Sequence, residues 1–339
     1  MVTEKDFWYW LKNRMKNDVA VIIPNWNGKK WLEISLASLM KQTYSSFEIV
    51  VVDNGSTDDS VSFVSQNFPQ VKIVCLDKNF GFATAINAGV KAVNTAYVAV
   101  VNNDTEIDKH WLSEIMQCAK KYPEVASFCS KLLNYDDRKK IDGVGIRINE
   151  VGQARSIGWE EKDTGQYEQE MAIFGATGGA ALFKRDVFIK VGWFDQHYFM
   201  YSEEVDWAFR AQFLGYKSMY CPKAIIYHKH KASSSRRKQM LEYWQFTNMY
   251  MTIIKDFPTT ILLKKWRWLK IILVYFNTIW YQFRSGFFWQ PFAVTATLIK
   301  NLPYLLQQRS KIQRSRKVSD EYIESFLHPK PVTFWGIFK

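Results

Sequence analysis

The sequence has 339 residues, 47% hydrophobic and 16% aromatic, which is enough for one large core and a smaller appended region. Its net charge of +12 is uneven: 19 of the 45 Lys and Arg, but only 5 of the 33 Asp and Glu, lie from His228 onward. The first 227 residues therefore sum to about −2, which excludes a basic nucleic-acid-binding domain there.

Residues 1–17 contain Phe7-Trp8-Tyr9-Trp10-Leu11 flanked by charges. They lack the apolar stretch and small-residue cleavage site of a secretion signal. An amphipathic helix is expected, either packed on the protein or serving as an interfacial anchor.

Val19 to Ile23 is apolar, rich in β-branched residues and ended by Pro24, as in a buried parallel strand. Glu48 to Val52, Val71 to Cys75 and Tyr97 to Val101 repeat the pattern, with helical stretches between them near Lys30 to Met40, Asp58 to Asn67 and Ala83 to Val93. The alternation predicts an α/β fold with a mainly parallel sheet flanked by helices. Ligands of such sheets bind beyond the carboxyl ends of the strands. Four polar loops fall there, beginning at Pro24, Asp53, Asp77 and Asn102.

Further on, Phe174 to Phe183 and Ala224 to Tyr227 read as strands and Val205 to Leu214 as a helix. The composition shifts at Ser233 to Lys238. The resulting division is a domain over residues 18–232 and a basic, aromatic, helical region over 233–339.

In that region cations alternate with rings, as in Lys264-Lys265-Trp266-Arg267-Trp268. The mixture suits the headgroup layer of an anionic membrane, and a single-stranded nucleic acid groove would use the same residue types. We expect the membrane surface and no nucleic acid. The apolar runs Ile271 to Phe283 and Ser285 to Ile299 fall short of the ~20 residues of a spanning helix, so attachment is expected to be peripheral. Cys75, Cys118, Cys129 and Cys221 show no CxxC spacing and are expected as reduced, buried thiols in a cytoplasmic protein without a zinc site.

The loops carry the chemistry. Asp53, followed by Asn54-Gly55-Ser56-Thr57, can accept hydrogen bonds from a nucleoside or simply shape a turn. Neither GxGxxG after the first strand nor GxxxxGK[ST] anywhere is present, which argues against dinucleotide and P-loop folds. Asp104, after Asn102 and Asn103, is a hard-oxygen ligand for a divalent cation, and His228 is a further candidate ligand. Ser202-Glu203-Glu204-Val205-Asp206 opens a helix with three carboxylates, which complement its dipole or include a general base. Asp206 and Arg210, four apart, read as a structural pair.

Taken in order, Val21 to Asn27, Val51 to Asp58, Asn79 to Ala83, Asn87-Ala88-Gly89, Asn102-Asn103-Asp104, Gly178-Gly179-Ala180, Gly192 to Asp195 and Tyr201 to Asp206 resemble glycosyltransferase family 2. This is the inverting family with a GT-A fold, and the chain is most similar to its bacterial rhamnosyltransferase-like members. The resemblance covers Val19 to about His228.

It implies a nucleotide diphosphate sugar donor, dTDP- or UDP-linked, and a saccharide acceptor that is lipid-linked in cell-envelope polysaccharide assembly at the inner face of the membrane. Asp53 would contact the nucleoside. Pro24, Asn25 and Asn27 would line its pocket, Asn79 and Gly81 would let backbone approach the donor, and Asn102, Asn103 and Asp104 would form the DxD-like turn. Asp104 and His228 would hold Mg2+ or Mn2+. Gly178, Gly179, Trp193 and Asp195 would face the acceptor. Glu204 is the expected base, with Glu203 the alternative. Two other readings stay open: a sugar-nucleotide-binding partner subunit, suggested by the single DxD carboxylate, and a sugar nucleotidyltransferase, which would also explain nucleotide and metal sites.

Overall fold

The computed structural model describes residues 17–229 and 238–329. The expected N-terminal helix, Asn17 apart, and the segment proposed as a domain boundary lie outside them.

The first half is built of β1 (Val19–Asn25), α1 (Lys29–Leu39), β2 (Phe47–Asp53), α2 (Ser60–Asn67), β3 (Lys72–Cys75), α3 (Phe82–Lys91) and β4 (Tyr97–Val101). Then come β5 (Thr105–Ile107), α4 (Trp111–Lys121), β6 (Val125–Asn134), β7 (Ile141–Gly143), β8 (Ile146–Asn149), β9 (Ala154–Ser156), β10 (Met171–Ile173) and β11 (Ala180–Lys184). The remainder is α5 (Arg185–Val191), α6 (Glu203–Phe213), β12 (Lys217–His228), α7 (Lys238–Asp256), α8 (Thr259–Leu263), α9 (Arg267–Arg284), α10 (Gln290–Ser315), α11 (Asp320–Glu324) and β13 (Leu327–His328).

The central sheet runs β10-β12-β6-β11-β4-β1-β2-β3. The pairs β4–β1, β1–β2, β2–β3 and β6–β12 are parallel, while β11 pairs antiparallel with both β4 and β6 and β10 antiparallel with β12. Six of these eight strands therefore point one way, and the sheet is mixed but mainly parallel. A second sheet orders β13-β8-β9.

Every residue from Val19 to Ile23 is fully buried because both faces of β1 are covered. Val19, Val21 and Ile23 pack with Leu32, Leu36 and Trp111, whereas Ala20 and Ile22 pack with Ala83, Ile86 and Val90 of α3. Burial on both faces explains the continuous apolar run. Residues 174–179 are a loop, against the expected strand from Phe174: Gly175, Gly178 and Gly179 weaken pairing, and the strand begins at Ala180.

A third cluster joins Val205, Phe209 and Phe213 of α6 to Met249 and Ile253 of α7, to Phe257 just after it, and to Ile312 and Ile323 further on. The C-terminal helices thus share a core with the helix that carries Glu203 and Glu204. The cysteines depart from expectation. Cys118 of α4 and Cys221 of β12 form a disulfide, while Cys75 and Cys129 are free.

Candidate active site

The register of β1 on β2 sets Asn25 opposite Asp53 at the carboxyl edge, with Pro24 opposite Val52. Asn25 Nδ2 donates to Asp53 Oδ1 (3.3 Å) and Ser56 Oγ (3.3 Å), and Asp53 Oδ2 accepts from the Ser56 N–H (2.9 Å). Asn103 Nδ2 donates to Asn25 Oδ1 (2.8 Å), tying the loop after β4 to this pair. A Cβ on Gly28 would stand 2.2 Å from Asn103 Nδ2, so the contact requires glycine. Asn27, at φ +51°, accepts the Thr57 N–H (2.7 Å) and Asp58 N–H (3.3 Å) and braces the two loops.

In the next loop Asn79 Oδ1 accepts from the Gly81 N–H (2.9 Å) and Asn54 Nδ2 (3.0 Å). Gly81 has φ +88°, and a Cβ there would stand 2.1 Å from the Phe199 carbonyl oxygen. The glycine thus admits the backbone of Phe199, whereas close approach of a donor was the expectation.

A second cluster lies beyond β4 and β12. Asp104 Oδ1 is 3.2 Å from His228 Nε2, Asn102 Nδ2 is 3.4 Å from the same nitrogen, and His228 Nδ1 donates to Asp142 Oδ2 at 2.5 Å. All but Asn102 are buried. Burial by itself would lower the imidazole pKa, but Asp104 and Asp142 outweigh it and raise it to about 10.

Glu203 and Glu204 open α6 from a strained turn. Tyr201 (φ +71°) and Ser202 (φ +69°) both sit in the left-handed region, at a cost on the order of 1–3 kcal/mol each. Asn248 of α7, itself buried, donates from Nδ2 to the carbonyls of Met200 and Tyr201, both at 2.8 Å, and holds that turn.

The Oε2 atoms of both glutamates are covered and hydrogen-bond to no other group among the described residues. Burial raises the Glu204 carboxyl to about 7. Burial and then the neighbouring Glu204 charge hold Glu203 well above the usual range. Tyr201 is pushed up to about 12, first by burial and then by the charges of Glu203, Asp104 and Glu204.

Gly178 and Gly179 span the gap between the clusters. A Cβ on Gly178 would stand 3.8 Å from Glu204 Cδ; one on Gly179 would stand 3.8 Å from Asn102 Nδ2 and 3.9 Å from His228 Cε1. The two adjacent glycines thus lie against the Glu204 carboxyl on one side and against Asn102 and His228 on the other.

Trp193 and Asp195 are not brought to this gap. They line a separate cavity of about 620 Å³ with His197, Lys255, Tyr304 and Lys311, which contains none of the other predicted site residues. Asp195 binds Lys255 (2.5 Å) and accepts from Tyr304 (2.9 Å) and His197 (3.0 Å). Lys255 also meets Asp206 (2.5 Å), which Arg210 engages at 2.7 Å as the four-residue spacing implied. Burial alone would raise the Asp195 carboxyl; His197 and Lys255 hold it far below the usual range. Asp195 is thus part of a buried ionic joint between the sheet domain and α7, at the edge of that cavity.

Sequence reasoning missed Asp142 and Asn248. Asp142 lies in a three-residue strand with no motif around it, and Asn248 is one polar position inside a long aromatic helix.

A model described as "Glycosyl transferase family 2" matches residues 20–192, just over half of the chain. The N-acetylglucosaminyl-diphospho-decaprenol L-rhamnosyltransferase of Mycobacterium tuberculosis is 26% identical over 245 residues, covering 66% of this chain and 79% of that one. The poly-beta-1,6-N-acetyl-D-glucosamine synthase of Staphylococcus epidermidis is 24% identical over 250 residues, covering 73% and 58%.

Among solved structures, the mannosyltransferase PcManGT of Pyrobaculum calidifontis with GDP-Man and Mn2+ superposes with TM-score 0.53 at 17% identity, covering 94% of this chain and 90% of its own. GalNAc-T7 with UDP, GalNAc and Mn2+ gives TM-score 0.53 at 14% identity, covering 62% and 42%. The sheet whose carboxyl edge gathers Asn25, Asp53 and Asp104 is thus the GT-A fold, and the chain belongs to glycosyltransferase family 2.

Proposed function

We propose that the chain transfers a sugar, with inversion, from a nucleotide diphosphate donor to a hydroxyl of a lipid-linked saccharide in cell-envelope polysaccharide assembly. The observation that carries this reading is Glu204: its carboxyl titrates near neutrality and stands one glycine pair away from Asp104 and His228. The rhamnosyltransferase relative, named for a diphospho-decaprenol-linked N-acetylglucosamine, supports rhamnose as donor sugar and a lipid-linked acceptor. A dTDP- or UDP-linked donor fits the same reading.

Asp53, Asn25 and Asn103 shape the nucleotide end, with Pro24 leaving no N–H at the strand terminus. Glu204 takes the proton of the acceptor hydroxyl as its oxygen bonds to the anomeric carbon; the bond to the diphosphate breaks and its electron pair stays on the leaving phosphate oxygen. Glu203, more deeply buried and held neutral, keeps a second negative charge away from that base. Attack from the face opposite the leaving group inverts the configuration.

The donor set at Asp104 and His228 fits a divalent cation. Asp104 Oδ1 and His228 Nε2 face one another at 3.2 Å as an ion pair from which an incoming cation would displace the imidazole proton, and Asp142 on the far ring nitrogen fixes the ring's orientation. Among the described residues no group of three or more His, Cys, Asp or Glu is placed to hold a metal, so a cation held here would draw its other ligands from the donor and water. Asp104 and His228 would hold Mg2+ or Mn2+, which when bound neutralises the leaving diphosphate.

Glu204→Gln tests the assignment. Transfer should fall by about 10²–10⁴ while donor binding, read by thermal shift with Mn2+, is retained. Undiminished transfer would remove Glu204 as base, and release of pyrophosphate from a nucleoside triphosphate would instead make the protein a nucleotidyltransferase.

A further inference from the structure

Helix α9 is turned inside out. Its three buried side chains are Arg267, Thr278 and Gln282, while Leu273, Phe276 and Trp280 are 60%, 61% and 66% exposed. Arg267 is held by Glu324 and Glu150, and Lys270 by Glu150 at 2.6 Å. Ile271 and Tyr275, half-buried, complete the inner face.

A helix packed on a water-soluble domain places its apolar stripe inward. Here Leu269, Leu273, Phe276 and Trp280, spaced by four, three and four residues, form a stripe that points away from the protein. The surface continues into Phe288 just before α10 and Phe292 in its first turn, 64% and 69% exposed. Of the nineteen large apolar side chains that are exposed among the described residues, fourteen lie between 263 and 306, so this is one patch and not scattered exposure.

We propose that this face lies in the apolar boundary layer of an anionic membrane, with α9 in the plane of the surface. At 18 residues α9 is about 27 Å long, and no described helix is long and apolar enough to cross a membrane.

Charge selects lipid over a second copy of the chain as the occupant. Exposed Lys265, Arg284 and Lys300 stand beside the patch, and the segment from His228 carries a net +14. Two such surfaces repel one another, whereas an anionic leaflet attracts both cations and interfacial Trp.

A series of rings also runs from the patch to the loop at Gly81. From Phe199, whose carbonyl abuts Gly81, rings follow one another through Trp244 (5.0 Å), Tyr243 (4.9 Å) and Trp289 (6.4 Å), the last half-exposed beside the patch. That continuity suits an acceptor carried by a lipid, a point that rests on the transfer reading above; the lipid contact itself does not.

The test is flotation of the full chain with vesicles of phosphatidylglycerol and phosphatidylcholine, compared with the triple variant Leu273→Glu, Phe276→Glu, Trp280→Glu. The unaltered chain should float with the mixed vesicles. The variant should lose at least tenfold in bound fraction while keeping its melting temperature and its turnover of a lipid-free saccharide acceptor.

Equal flotation of the two proteins would overturn the proposal. So would an unaltered chain that stays at the bottom of the gradient, or a vesicle-free dimer that the three substitutions dissociate without changing flotation. If flotation behaves as expected but no acceptor is turned over by either protein, the transfer reading falls and the lipid face stands.

Discussion

Glu204 makes the pH dependence predictable. With its carboxyl raised to about 7 by burial, the base is protonated and idle below that pH. The kcat/KM for transfer should rise about tenfold per pH unit on the acid side and level off above about 7. A flat profile between pH 5.5 and 8 would show that Glu204 does not accept the proton. The stability sign is opposite. Because the folded pKa lies above the ordinary glutamate value of 4.5, the unfolded chain releases this proton first, and stability falls as pH rises from about 4.5 through 7.

Asp142 gives a second test at this scale. Orienting carboxylates behind metal-binding imidazoles typically contribute 10- to 100-fold in affinity. Asp142→Asn should weaken the stabilisation by Mn2+ about that much, read as a shifted midpoint in a thermal titration, and should leave the metal-free melting temperature within a few degrees. The sequence shows Asp104 and His228 but not Asp142, because a carboxylate that acts through another side chain carries no spacing signal. For Asp195 it shows the residue and misleads about its company: Lys255 and Tyr304 come from helices 60 and 109 positions away.

At the scale of elements, β1, β2 and β4 are legible because their central residues are buried and must be continuously apolar, whereas β3, an edge strand with Lys72 and Cys75 exposed, is legible from its place in the alternation. The turn before α6 is not legible. Neither Tyr201 nor Ser202 favours positive φ, and what holds them there is a tertiary hydrogen-bond pair from Asn248. Asn248→Leu should remove both bonds at once, destabilising the fold by about 2–4 kcal/mol in urea unfolding. Glu204 should lose its setting too, so that kcat falls more than KM rises. A variant with lowered stability but unchanged kcat would limit Asn248 to a structural role.

For the whole molecule, one hydrophobic cluster crosses the division of the sequence at residues 232 and 233. The cluster formed by Val205, Phe209 and Phe213 is closed by Met249, Ile253, Phe257, Ile312 and Ile323. A chain ending near Ser235 would leave those α6 side chains uncovered, each worth about 1.5–3 kcal/mol of burial. Such a fragment would report lost packing together with lost membrane contact, whereas substitutions on the outer stripe of α9 separate the two.

The hydrogen bonds of α7 have one more consequence. The helix grips the base-bearing turn through Asn248 and grips α10 through the Tyr243 hydroxyl, 2.7 Å from Thr297 Oγ1. A protein resting on a surface through α9 and α10 therefore carries Glu204 at one fixed height above it. Height acts as a ruler: the hydroxyl that reaches the carboxylate is chosen by its distance from the lipid as well as by its chemistry. Vesicle-bound acceptors lengthened one sugar at a time should give a single turnover optimum, and the same saccharides free in solution should not.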